Sequence, residues 1–408
     1  MKKIITFILI MTLTLNCTQG NAMVKGQNND KSMSKNITKN VANSNVENDT
    51  AKDEYNAKSY VLMEAKSGSI IKSNNENEKL SPASITKIMT LILIFDYIHS
   101  GKIKLGDMVT TSAKAKSMGG SQVFLEEGEQ QNVETLIKCI IIASGNDASV
   151  AMAEHIAGSE EEFVKQMNTR AKKLGMNNTN FIDCCGLTDS DDHYTTAKDV
   201  AIMSRELITK YPVIFKYSTI WMEMFTHKTA KGESKFMLTN TNKLLKVNKY
   251  VKGLKTGSTS KAKYCVSTVA EKDNVELIAV VMAAADYKER FNISQKLINY
   301  GFANCKDNKK YNGNIKISNG KKESLKIKKT DFSYVDTKNN DLSKIKRKIS
   351  IKKDLQAPVR KGEIVGKASY YLKGKNIGEV NIVSEECVNK MNYGFSLIKC
   401  MQMFFRIG

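Results

Sequence analysis

The chain has 408 residues, 41% of them hydrophobic and 26% charged, with a formal net charge of +21. That composition excludes a wholly disordered chain, and the length accommodates two domains of ordinary size. A polyanionic partner would fit the basic balance. The lysines are spread along the chain without a nucleic-acid motif, however, so a solvated lysine- and asparagine-rich surface is the preferred reading and no nucleic-acid partner is expected.

Met1-Lys2-Lys3 and the apolar run 4–15 read as the start of a signal peptide, residues 1–22, with Gly20 and Ala22 as small residues ahead of cleavage. The run is too short for a spanning anchor. Cys17 offers a lipid-attachment alternative, for which Asn16 is a poor preceding residue. Residues 23–56 are Asn-, Ser-, Lys- and Asp-rich and read as a disordered linker. Residues 59–71 then give a strand, a Ser-Gly turn and a second strand. The stretch 84–98 is an apolar helix with almost no polar face, hence one buried on nearly all sides. Residues 133–158 form a helical stretch broken at Ser144-Gly145-Asn146, and 196–211 a further helix. A strand pair follows around Gly253-Leu254-Lys255 and over 264–284, then a helix at 287–302. Strands at both ends with helices between them predict an α+β domain over 57–306, an antiparallel sheet covered by helices.

Residues 307–386 alternate apolar and polar positions between Gly and Asn turns, the pattern of a small all-β domain, with Pro358 in a connection. In 387–408, Leu397, Met401, Phe404, Phe405 and Gly408 share one helical face and Ser396, Lys399 and Arg406 the other. This predicts an amphipathic helix lying on a membrane surface. Seven cysteines follow residue 22, an odd number without a CxxC pair, and are read mostly as buried thiols. The four histidines lack HExxH spacing, so neither a metal site nor a cofactor is expected.

Ser84 and Lys87 form a Ser-x-x-Lys tetrad at the start of the apolar helix. The tetrad is weak alone, because Ser69/Lys72, Ser318/Lys321, Ser343/Lys346 and Ser396/Lys399 repeat it. Ser144-Gly145-Asn146 in a helix break and Lys255-Thr256-Gly257 on a strand complete a specific set, SxxK, SxN and KTG in order. The chemistry follows from the residue types. A serine hydroxyl needs an adjacent base, and Lys87 lies one helical turn away on the same face. Lysine serves only when neutral, which burial and a second cation, Lys255, would promote. Gly257 is expected to keep the strand free of a side chain that would block a substrate backbone.

The stretches "SPASITKIMT", "SGNDASVAMAE", "FIDCCGLTDSDDHYTTAKD" and "GLKTGST" resemble the D-alanyl-D-alanine carboxypeptidase family, the low-molecular-weight penicillin-binding proteins. The likeness covers about 57–306 and extends to the family's C-terminal parts. It implies a β-lactamase/penicillin-binding-protein-like fold and a membrane-bound, exported serine carboxypeptidase. The implied substrate is the D-Ala-D-Ala end of peptidoglycan pentapeptides, with β-lactams as covalent inhibitors. On that resemblance Ser84 is the nucleophile, Lys87 its base and Ser144 a proton relay. Asn146 holds the substrate amide, Lys255 and Thr256 the terminal carboxylate. The backbone N–H groups of Ser84 and Ser258 line the oxyanion site. His193 and Asp199 are read as scaffold residues. Cys184-Cys185, where the family commonly has Asn-Pro, and Lys263, where it often has Gly, are departures from the pattern. A class A-like β-lactamase is the rival enzyme, but no Glu-x-x-Leu-Asn stretch lies between Ser144 and Lys255. A wall-binding scaffold without turnover is the rival from another class, and the intact motifs argue against it.

Overall fold

The computed structural model describes residues 55–307, 312–330, 332–336, 340, 342–394, 396–397 and 401. The expected signal peptide, Cys17, nearly all of the expected linker and half of the expected terminal helix, including Phe404, Phe405 and Gly408, lie outside the described residues. Tyr55, at the end of the stretch read as linker, is buried edge-on against Tyr60.

Five antiparallel strands make the main sheet, in the order Ile70–Asn74, Ala57–Glu64, Val275–Ala284, Lys263–Lys272, Val251–Thr259. The first strand reads Tyr-Val-Leu-Met because both of its faces are covered. Val61 and Met63 enter the larger core with Ile278, Val280 and the helices Lys87–His99 and Ala197–Lys210. Tyr60 and Leu62 enter the second core, with Val281, Leu297 and Ile298 on the opposite face. The helix Glu289–Asn304 supplies that cover.

The apolar stretch read as a helix from Ser84 begins as a 3₁₀ turn, Ala83–Thr86, and becomes α-helical at Lys87–His99. Residues 87–95 are all buried, as its apolar circumference requires. The break at Ser144-Gly145 separates the helices Val133–Ile142 and Asn146–Ala157. Asn132 and Thr196 cap the helices they precede, accepting the N–H of Thr135 and Asp199 at 2.8 and 3.1 Å.

Three elements depart from the sequence reading. The stretch 264–284 is two strands rather than one, reversing at Asp273-Asn274, both with positive φ. The helix Glu160–Lys173, capped by Ser159, and the hairpin Met222–Thr229/Gly232–Thr239 were not read from the sequence. The hairpin strands alternate weakly because one face carries Met222, Met224 and Met237 into solvent.

The C-terminal domain is a second five-stranded antiparallel sheet, ordered Asn312–Lys316, Ser324–Lys329, Lys375–Ser384, Ile364–Leu372, Lys346–Ile351. Its core includes Leu325, Ile327, Val365, Tyr370 and Ile382. Among the described residues no helix is long and apolar enough to cross a membrane.

One glycine shows how tightly the parts meet. Gly186 has φ +76°, and a Cβ there would lie 1.8 Å from the carbonyl oxygen of Ala83. The loop after Asp183 is thereby pressed onto the turn that carries Ser84. Gly186→Ala is predicted to cost about 3 kcal/mol, from overpacking against backbone together with an unfavourable φ. Chemical denaturation checks this, and a loss below about 0.5 kcal/mol would contradict the contact.

Candidate active site

Lys87 is fully buried, and its Nζ stands 3.0 Å from Ser84 Oγ, 2.6 Å from Asn146 Oδ1 and 2.8 Å from the carbonyl oxygen of Cys185. An ammonium donates to all three. A neutral amine has two N–H bonds, enough for the amide and carbonyl oxygens, and one lone pair left to accept the Ser84 hydroxyl proton. Burial lowers the Lys87 pKa below its ordinary value, while nearby anionic groups, the Asp183 and Asp147 carboxylates among them, pull it upward.

The second cation is Lys255, also fully buried, whose Nζ donates to the Thr256 carbonyl at 3.0 Å. Its pKa falls well below the usual lysine range, first through burial and then through the charges of Lys87 and Arg290. The sequence reading had burial depress Lys87 and Lys255 depress it further. Repulsion between two ammonium groups is mutual, but Lys87 has three acceptors and nearby carboxylates to hold its charge. Lys255 has a single carbonyl and gives way first. Burial is the main cause of the lowered Lys87 pKa, as read, and the repulsion falls chiefly on Lys255.

The SxN element is reached from two sides. Asn146 donates its amide to the Gly119 carbonyl at 2.7 Å while accepting from Lys87. Its neighbour Asp147 accepts the N–H groups of Val123 and Leu125, which fixes the loop beside the site. Ser144 is held at φ +63°, in the left-handed region, and its buried Oγ has no hydrogen-bond partner among the described residues. A buried hydroxyl without a partner retains the capacity to bond a ligand or pass a proton.

The KTG element lies on Val251–Thr259, an edge strand of the sheet. The Thr256 hydroxyl donates to Thr241 Oγ1 at 2.7 Å, and the Thr241 N–H donates to Ile142 at the end of the helix before Ser144. Gly257 is a glycine for a different reason from the one expected. A Cβ there would lie 2.8 Å from the Pro82 carbonyl and 3.0 Å from the Ser84 and Ile85 nitrogens, so it would strike the Ser84 turn itself. Ser258 is exposed at the strand's outer end.

Several supporting residues carried no motif. Cys184 and Cys185 act here through their backbone, the carbonyls accepting from Thr90 and Lys87. Asp183 gathers the N–H groups of Cys185, Gly186, Leu187 and Thr188. Burial pushes its carboxyl up, yet His193 and those N–H groups hold it below the usual carboxylate range. His193 is buried and has a lowered pKa, chiefly from burial. Its Nδ1 accepts the Ile182 N–H at 3.0 Å, so Nε2 carries the proton and donates to Thr86 Oγ1 at 2.9 Å. Both ring nitrogens are occupied by scaffold partners, as expected. Asp199 likewise accepts from Asn178 and Thr179. Arg290 was missed altogether. Its Nη1 donates to the Gly257 and Cys265 carbonyls at 3.1 and 3.3 Å, behind the KTG strand, and Tyr287 and Phe291 lie against its guanidinium. No spacing rule links residue 290 to residue 257. Only the packing of the helix Glu289–Asn304 on the sheet brings them together.

The chain is similar to known proteins over most of its length. The family described as D-alanyl-D-alanine carboxypeptidase matches residues 45–286, and the family described as penicillin-binding protein 5, C-terminal domain, matches residues 301–390. A D-alanyl-D-alanine carboxypeptidase of Bacillus subtilis (strain 168) is 42% identical over 345 residues, 83% of this chain and 87% of its own length. The crystal structure of penicillin-binding protein 5 from Haemophilus influenzae is similar with a TM-score of 0.63 and 34% identity, covering 83% of this chain and 99% of that one. Penicillin-binding protein D2 of Listeria monocytogenes, in its ampicillin-bound form, has a TM-score of 0.54 and 26% identity over 62% of this chain and 99% of that one.

The buried cations carry a stability cost with a defined pH dependence. Lys255 has a folded-state pKa below its unfolded value of 10.5, so between the two the unfolded chain binds the extra proton and stability rises with pH. Lys255→Met keeps the stem and removes the charge. It is predicted to be more stable than wild type by about 2 kcal/mol at neutral pH, by analogy with other buried charges replaced by apolar groups, with a smaller gain as pH approaches 10.5. Thermal unfolding at the two pH values checks this. A gain that grows with pH would contradict the sign.

Proposed function

Because the chain belongs to the D-alanyl-D-alanine carboxypeptidase family, we propose that it removes the terminal D-alanine from peptidoglycan stem peptides through an acyl-enzyme on Ser84. The observation that carries this reading is the contact between a buried Lys87 amine and Ser84 Oγ at 3.0 Å. Neutral Lys87 takes the Ser84 proton as Oγ attacks the carbonyl carbon of the penultimate D-alanine. The oxyanion is received by the N–H groups of Ser84 and Ser258. As the C–N bond breaks, the leaving D-alanine nitrogen takes a proton from the Lys87 ammonium, relayed by Ser144. Water then attacks the ester, giving its proton back through Lys87, and the tetrapeptide carboxylic acid and Ser84 hydroxyl are regenerated.

Asn146 holds the substrate amide, and Lys255 and Thr256 receive the terminal carboxylate. The arrival of that carboxylate favours the charged form of Lys255 and so opposes the effect of burial. β-Lactams acylate the same Ser84 oxygen. Lys87 has no carboxylate among its three hydrogen-bond partners, which favours a carboxypeptidase over a class A-like β-lactamase. The reading places the enzyme outside the cytoplasm, peripheral on the outer face of the membrane through 387–408. Tyr393, Leu397 and Met401 recur every fourth residue and are 88%, 56% and 54% exposed, an apolar stripe consistent with that role.

Ser84→Ala is predicted to abolish both fluorescent-penicillin labelling and D-alanine release from a D-Ala-D-Ala peptide, a loss of at least about 10³-fold. Lys87→Ala should do the same. Lys72→Ala, in a tetrad whose lysine lies over the Tyr55 and Tyr300 rings, should leave both unchanged. Persistent labelling of the Ser84→Ala protein at another serine would overturn the assignment.

A further inference from the structure

The excess positive charge is not evenly spread. Residues 57–306 carry 33 Lys and Arg against 27 Asp and Glu, a net of +6 over 250 residues. Residues 307–386 carry 20 against 10, a net of +10 over 80 residues. The smaller domain therefore holds 10 of the 21 excess charges in 80 of the 408 residues, a concentration that a general lysine-rich bias does not explain.

The strand register puts much of that charge on one face. Lys316 pairs with Ser324, Asn314 with Lys326 and Asn312 with Lys328. Lys328 pairs with Val383, which pairs with Ile364. Lys346 and Lys348 pair with Tyr371 and Ser369, and Ser350 with Lys367. Directly paired residues of an antiparallel sheet point the same way. Lys316, Lys326, Lys328, Lys346, Lys348 and Lys367 thus share the face turned away from Leu325, Ile327, Val365 and Ile382. All six lysines are exposed. Glu379 pairs with Lys367 at 3.6 Å and Glu385 with Lys328 at 4.0 Å. Lys316, Lys326, Lys346 and Lys348 form no ion pair among the described residues.

We propose that this face binds the headgroups of an anionic phospholipid bilayer. Strands spaced about 5 Å apart, with same-face residues about 7 Å apart along each, spread the lysines over two dimensions, as a planar array of phosphates requires. The face also exposes Ile364 at 44%, with Val383 and Tyr371 half-buried beside it. Such apolar groups find partners at the headgroup–acyl boundary and none on a linear phosphodiester polymer. The same domain leads directly into the exposed stripe of Tyr393, Leu397 and Met401, the Met391 N–H donating to Asn319 at its root. A short apolar element alone gives marginal, reversible attachment, and a polybasic surface supplies the second contribution that makes it stable. This inference is independent of the catalytic assignment and rests on the membrane-surface reading of the C-terminal segment.

The test measures binding of the full chain to vesicles of phosphatidylcholine with and without phosphatidylglycerol. Each neutralised surface lysine weakens attachment to an anionic surface by about fivefold at most. The variant K326Q/K328Q/K346Q/K348Q should bind phosphatidylglycerol vesicles at least about tenfold more weakly, bind pure phosphatidylcholine as wild type does, and label with penicillin normally. A chain ending at residue 390 with the lysines intact should keep salt-sensitive, phosphatidylglycerol-selective binding, and the four substitutions should remove it. That second arm separates the lysine face from the terminal segment. Unchanged vesicle binding by the quadruple variant would overturn the proposal. So would absence of phosphatidylglycerol-selective binding in the shortened chain. Loss of binding to inorganic polyphosphate with vesicle binding intact would assign the face to a linear polyanion instead.

Discussion

The structure turns on the burial of one amine. Lys87 lies at the start of a helix that is buried through its first nine residues, and taking its charge out of water is costly. Two oxygens, from Asn146 and the Cys185 backbone, satisfy two N–H bonds of a neutral amine and direct the remaining position at Ser84. Each surrounding piece of the fold serves that arrangement. Gly186 presses the Asp183 loop onto the Ser84 turn, Gly257 admits the KTG strand against the same turn, and His193 pins Thr86 from behind.

Much of this was legible in the sequence. The apolar circumference of residues 84–98 predicted a buried helix, and a helical turn between Ser84 and Lys87 predicted their contact. The helix break at Ser144-Gly145-Asn146 fell where it was read. The second sheet followed from simple alternation in residues such as Ser324–Lys329, whose exposure alternates strictly. The family resemblance and the comparisons agree on the fold and the family.

What could not be read is what depends on tertiary contact. Cys184-Cys185 looked like a departure from pattern at the level of side chains. Its contribution to the lysine is made by carbonyl groups, which any residue possesses, so the side chains carried no signal. Arg290 meets the Gly257 carbonyl across a strand and a helix. Gly257 was assigned the right property for the wrong neighbour, since only packing reveals that the Ser84 turn, not an incoming ligand, fills the space. The uniform look of the lysines hid a segregation onto one sheet face that appears only when strand register is known.

The catalytic reading requires Lys87 to be uncharged beside Ser84 under working conditions, with burial as the cause. The direct measurement is ¹⁵N NMR of the labelled lysine amines across pH, with Lys87 assigned by its loss in Lys87→Met. The account predicts that Lys87 Nζ titrates below the ordinary lysine value of 10.5 while surface lysines do not. An amine that stays protonated up to or beyond that value would contradict it.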